Sequence, residues 1–156
     1  MKKRKIDVAR PDTQTEPVWR SLDDVAEVEI TSEDAGHPIE AALGERSGLG
    51  WRAEGPGEQT IRLRFEHPIP VQRVRLVVEE HERTRTQEFV LRATPAAEGP
   101  WRELARQQFN FSPSGATREQ EDYQVNLPSV AGLELVLVPD ISGGDARASL
   151  HQLRIA

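Results

Sequence analysis

From Gln59 to the C-terminus the chain is a succession of short runs in which every second residue is apolar. This alternation limits the possible folds more than any other feature. Gln59-Thr60-Ile61-Arg62-Leu63-Arg64-Phe65 sets Ile61, Leu63 and Phe65 on one face and Arg62 and Arg64 on the other. Val74–Val78, Glu88–Arg92, Tyr123–Leu127 and Leu133–Leu137 repeat the theme. Period-2 runs bounded by Gly, Pro, Asp and Ser are the pattern of strands with one wet face, and a series of them builds an antiparallel sandwich or barrel. Strands are predicted at 25–30, 59–66, 71–80, 86–94, 101–109, 121–127, 132–139 and 148–155.

Between the first two strands, residues 32–57 read as long and irregular, with a helical turn at Pro38–Leu43. His67-Pro68-Ile69-Pro70 and Pro95–Pro100 read as tight connections, because proline cannot donate to a ladder. In the last strand Leu150 and Gln152 share one parity while Leu153 and Ile155 share the other, so a bulge is needed to turn all three apolar residues inward. The expected core is Trp51, Ile61, Leu63, Phe65, Leu76, Phe89, Leu91, Val125, Leu135 and Leu137, with Val28 and Ile30 also facing inward.

A length of 156 residues suits one domain, and 37% apolar with 29% charged residues is a globular composition. Residues 19–156 are expected to form that domain. Residues 1–18, with five basic and three acidic groups, read as a tail or an added edge strand. No apolar stretch approaches the ~20 residues of a membrane helix, and Met1-Lys2-Lys3-Arg4-Lys5 is not followed by the apolar run of a secretory signal, so the expected location is cytoplasmic. Zero cysteines exclude disulfides, thiol catalysis and cysteine-ligated metals. The net charge of −6 becomes about −8 once residues 1–18 are set aside, a poor surface for phosphate backbones; nucleic acid is not an expected partner.

Chemistry was sought in motifs. The four histidines (His37, His67, His81, His151) never occur at i, i+3 or i, i+4, so no metal site is expected from them. Neither a nucleophile elbow nor a phosphate loop occurs, and no catalytic constellation emerges. Two polar stretches remain. In Glu79–Glu88, Arg83 and Arg85 are candidates to donate to a pair of hydroxyls or a carboxylate, set against a solvated hairpin with internal Arg–Glu pairs. In Phe109–Thr117 the two phenylalanines are either both core or, if the strand ends at Gln108, Phe111 is a stacking platform beside Asn110.

Taken in order, Ser32-Glu33, Ala42-Leu43-Gly44-Glu45, Gly50-Trp51-Arg52, Gln59–Phe65, Val71–Leu76, Phe89–Thr94 through Gly99–Leu104, and Ala148–Ile155 resemble the galactose-binding-like family of discoidin domains and bacterial carbohydrate-binding modules. The resemblance spans residues 25–156. It implies an all-β antiparallel jelly-roll β-sandwich of about eight strands, no catalysis, and ligand binding at one end. It implies a saccharide ligand first, with Arg83, Arg85, Asn110 and Phe111 as binding residues and Trp51 and Trp101 as core. A subgroup of the same fold serves as a protein–protein module, as in the amino-terminal domain of a single-strand-break repair scaffold, which makes a protein partner the alternative. The family often holds a structural calcium ion, but here the turn reads Gly44-Glu45 and the closing strand carries Gln152; Glu45 and Asp34 are the nearest substitutes, and no cofactor is expected.

Overall fold

A computed structural model describes residues 17–22, 25–44 and 48–156. The basic tail therefore lies outside the described residues, apart from Pro17 and the 92%-exposed Val18. The chain forms β1 (Val25–Ile30), α1 (Glu40–Leu43), β2 (Trp51–Pro56), β3 (Gln59–Glu79), β4 (Arg85–Thr94), β5 (Arg102–Phe111), β6 (Arg118–Val138), β7 (Arg147–Leu150) and β8 (Gln152–Ile155). All pairings between them are antiparallel.

The expected tight connection at 67–70 turns out to be a corner, and a second corner lies near Pro128, whereas 95–100 does connect β4 to β5. Strands expected at 59–66 and 71–80 are one 21-residue strand, β3, and those at 121–127 and 132–139 are halves of the 21-residue β6. The first half of β3 pairs with the second half of β6, in the order β1-β3-β6-β4-β5. The second half of β3 pairs with the first half of β6 and with β8, so both long strands pass from one sheet of the sandwich to the other. Their register slips between Arg64 and Ile69, Ile69 and Val71, and Val71 and Arg73. Pro68, Pro70 and Pro128 fall at these slips, where their missing N–H groups cost least, and Asn126 takes up an extra residue with φ +47°.

The alternation delivers the core where it was expected. Trp51, Ile61, Leu63, Leu76, Phe89, Leu91, Leu135 and Leu137 are buried, while Phe65 and Val125 are only partly covered, as are Val28 and Ile30. Trp101 is half-buried on the outer face of the larger sheet instead, its ring 5.5 Å from the Arg62 guanidinium. Arg62 and Arg92 there converge on Glu134, with N–O distances of 2.7 and 2.8 Å. Burial raises the Glu134 pKa, but the two guanidinium hydrogen bonds outweigh it and hold the carboxyl below its ordinary value.

The irregular parity of the last strand is resolved by a break at His151. Leu150 ends β7, Leu153 and Ile155 lie on β8, and all three are buried. The same break changes partners: β7 pairs with β2, whereas β8 pairs with β3. The stretch 32–57, read as irregular, contains β2 as well as the expected helical turn. Its position is fixed by Ser32, whose carbonyl accepts from Trp51 Nε1 at 3.0 Å and whose Oγ accepts from the Glu54 amide at 3.0 Å.

Candidate functional site

The two-stranded β2–β7 ribbon makes the floor of a hollow of about 390 Å³. Strand parity assigns its lining. Trp51, Ala53, Ala148 and Leu150 point into the core, and Arg52, Arg147 and Ser149 therefore point the other way. Arg52 and Ser149 face each other across the ribbon. His151, at the break between β7 and β8, lines the hollow as well, and its amide donates to Val77 O at 2.8 Å. Gly50 lets the floor seat closely. Its φ is +75°, and a Cβ there would lie 2.6 Å from Leu150 O and 2.8 Å from His151 Cα.

The polar segment Glu79–Glu82 forms a wall, and His37 and the 79%-exposed Leu49 complete the lining. The acidic wall is held from behind. Arg118 Nη1 donates to Glu79 Oε1 at 2.7 Å, and Arg85 Nε donates to Glu80 Oε1 at 2.8 Å. Toward the hollow, Glu79 Oε2 stands 3.6 Å from His81 Nε2 and 3.9 Å from His151 Nδ1. On the cationic side, Asp34 Oδ2 is 2.8 Å from His37 Nδ1 and its Oδ1 is 3.9 Å from Arg147 Nη2. The hydrogen bond from His37, followed by the field of Arg147, holds the Asp34 carboxyl below its ordinary value against some desolvation. Arg147 is also anchored by two donations to Ala53 O, at 2.9 and 2.6 Å.

The expected end loops do converge. The Glu80 amide donates to Thr117 O at 2.9 Å, the Ile141 amide donates to Thr86 O at 2.9 Å, and Arg83 Nη1 donates to Asp145 Oδ1 at 2.7 Å. The hollow, however, lies on the β2–β7 side of this junction, and residues 110–120 do not line it.

Of the four residues expected to bind, Arg83 and Asn110 are exposed; Thr86 Oγ1 donates to Asn110 Oδ1 at 2.7 Å. Arg85 and Phe111 are interior, which corrects their expected roles. β5 does not stop at Gln108 but runs to Phe111, so the strand carries both phenylalanine rings to the inner face, 4.8 Å apart. Phe111 is 1% exposed and has no face for a ligand. Its register partner Arg85 has a fully buried side chain, stacked 4.7 Å from the Phe111 ring, with Nη1 donating to Pro139 O at 2.8 Å.

Arg85 belongs to a polar layer between the sheets. Gln87 Nε2 crosses the gap to Glu119 Oε1 at 2.9 Å, and Arg85 Nη2, Glu119 Oε2 and Tyr123 Oη are buried without hydrogen-bond partners. Burial, with Glu121 adding repulsion, pushes the Glu119 pKa up to about 8. Burial likewise takes the Tyr123 hydroxyl to about 12.

Sequence reasoning overlooked His37, Arg52, Arg147, Ser149 and His151. A signal for three of them was present: Trp51-Arg52-Ala53 and Arg147-Ala148-Ser149-Leu150 are period-2 runs whose polar members had to leave the core. What was missing was the pairing of these two runs, 94 to 99 positions apart, into one surface.

Among the described residues no group of three or more His, Asp or Glu side chains is placed to hold a metal, and Asp34 is engaged by His37 and Arg147. Glu45 lies outside the described residues.

This architecture is a jelly-roll β-sandwich, and solved carbohydrate-binding modules of the galactose-binding-like fold share it. The chain is similar to the family 32 carbohydrate-binding module of AlyQ, solved in complex with 4,5-unsaturated mannuronic acid (18% identity, 85% of this chain and 95% of that one, TM-score 0.61). It is similar to the family 32 module of NanJ from Clostridium perfringens, in complex with galactose (10% identity, 88% and 96%, TM-score 0.62). It is also similar to reduced XRCC1 bound to the DNA polymerase β catalytic domain (16% identity, 85% and 95%, TM-score 0.62). At these identities the likeness establishes the fold. No family model matches the sequence, and no curated protein matches it.

Proposed function

We propose that the protein is a non-catalytic saccharide-binding module and that the β2–β7 hollow is its binding site. The observation that carries this reading is the lining itself: the carboxylates of Glu79 and Glu82 share a hollow of about 390 Å³ with the donors Arg52 and Arg147. Vicinal hydroxyls present donors and acceptors at fixed spacing, and such a mixed lining answers both. Solved modules of this fold carry mannuronic acid and galactose derivatives, which supports a sugar as the ligand class. Trp51 in the lining is 1% exposed, so recognition here rests on hydrogen bonds more than on ring stacking, and the expected affinity is modest, with Kd of about 0.1–1 mM.

The test is a broad glycan array followed by calorimetry on hits. Glu82→Ala, which removes an exposed carboxylate from the wall, is expected to abolish binding without changing thermal stability. An array without hits, or full binding by the Glu82→Ala variant, defeats the proposal. A protein partner is the second reading, favoured by the equal likeness to XRCC1 bound to a polymerase domain. It predicts a stoichiometric complex that forms unchanged in the Glu82→Ala variant.

A further inference from the structure

The charges around the hollow do not cancel locally. On the floor, Asp34 pairs with His37 and with Arg147, and Arg52 reaches it only through its field. Arg147 is spent on Ala53 O as well, whereas the Arg52 side chain has no hydrogen bond or ion pair among the described residues. The wall is the mirror case. Glu79 is matched by Arg118 and Glu80 by Arg85, while Glu82 has no cation within ion-pair distance among the described residues. Among the described residues, Arg52 and Glu82 are thus left without a partner in the lining of the same hollow.

Resting on the saccharide reading above, we propose that the hollow takes an acidic sugar, a uronate whose carboxylate sits on the Arg52 guanidinium while its ring hydroxyls donate to the Glu79–Glu82 wall. A guanidinium with unused donors is matched best by a planar carboxylate, which accepts two parallel N–H bonds. A neutral sugar leaves that fork to water. The wall fixes the orientation, because a carboxylate turned toward Glu82 meets like charge, whereas hydroxyl protons turned toward it are accepted. Ser149 lies opposite Arg52 on β7, with its hydroxyl donating to Glu79 O at 3.5 Å.

The experiment compares trimers of D-galacturonate, D-glucuronate and D-mannuronate with their carboxyl-reduced counterparts, by calorimetry and by amide chemical-shift mapping. At least one uronate trimer is expected to bind tenfold or more tightly than its reduced form, with shifts centred on Arg52, Ser149 and His151. Arg52→Met is expected to bring that ratio close to one, and Arg52→Lys, which keeps the charge and loses the fork, to leave it intermediate; circular dichroism checks that each variant is folded. Arg52→Lys decides the matter if Arg52→Met does not fold. Equal binding of acidic and reduced trimers, an undiminished ratio in the variants, or shifts centred elsewhere overturns the acidic preference while saccharide binding stands. Absence of binding by every glycan, acidic or neutral, overturns both.

Discussion

Replacing Glu119 by Gln is expected to flatten the protein's loss of stability toward alkaline pH. Glu119 is 1% exposed, accepts one hydrogen bond from Gln87 at 2.9 Å, and has a second carboxyl oxygen with no partner. Burial raises its pKa in the folded chain from 4.5 to about 8. Below pH 4.5 the group is protonated in both states and makes no difference. Between there and pH 8 the unfolded chain gives up the proton and the folded chain keeps it, so stability falls as pH rises and levels off above 8. At about 1.4 kcal/mol per unit of displacement the ceiling is near 5 kcal/mol, and sharing of the proton with Glu121 lowers the expected loss to about 2–3 kcal/mol. Glutamine keeps an acceptor for Gln87 and cannot titrate. Urea unfolding at pH 5.0, 6.5, 8.0 and 9.0 reads the difference: the wild-type free energy should drop relative to Glu119→Gln by that amount between pH 5 and 8, then run parallel. Curves parallel over the whole range would show that the Glu119 carboxyl is solvated and that the polar layer between the sheets has been misread.

Two further substitutions follow from packing. Phe111→Ala removes a 1%-exposed ring and uncovers the Arg85 guanidinium stacked on it, so denaturant unfolding should report a loss of about 3–5 kcal/mol, and a loss under about 1.5 kcal/mol would place the ring at the surface. Gly50→Ala puts a Cβ against Leu150 O and His151 Cα at a φ of +75°; it should lower stability by more than about 1 kcal/mol and weaken glycan binding by displacing β2 from β7, with an unchanged melting temperature as the contrary result.

How far the sequence led depended on whether a property was local. Alternation at Ile61, Leu63, Phe89, Leu91, Leu135 and Leu137 is local, and each of these residues is in the core. The parity conflict at Leu150 and Leu153 likewise announced the break at His151. Pro68 and Pro70 marked the right place, but the same signal serves a turn and a corner, and only the pairing of β3 with β6 distinguishes them; Pro128, at the matching corner of β6, went unread. Arg85 and Phe111 failed for a more specific reason. Charge on Arg85 argued for the surface, yet its β4 parity with Gln87, Phe89 and Leu91 placed it inside, with Glu80 and Pro139 O to satisfy it. The hollow was illegible because its floor is made by β2 and β7, which lie far apart in the sequence.

The two long strands that turn the corner also govern how the molecule comes into being. Because β3 and β6 each belong to both sheets, neither layer can be completed before the other has its middle strands, and Gln59 must find Leu137 across half the length of the chain. Assembly is thereby expected to be slow and concerted, with no half-molecule stable enough to accumulate on the way.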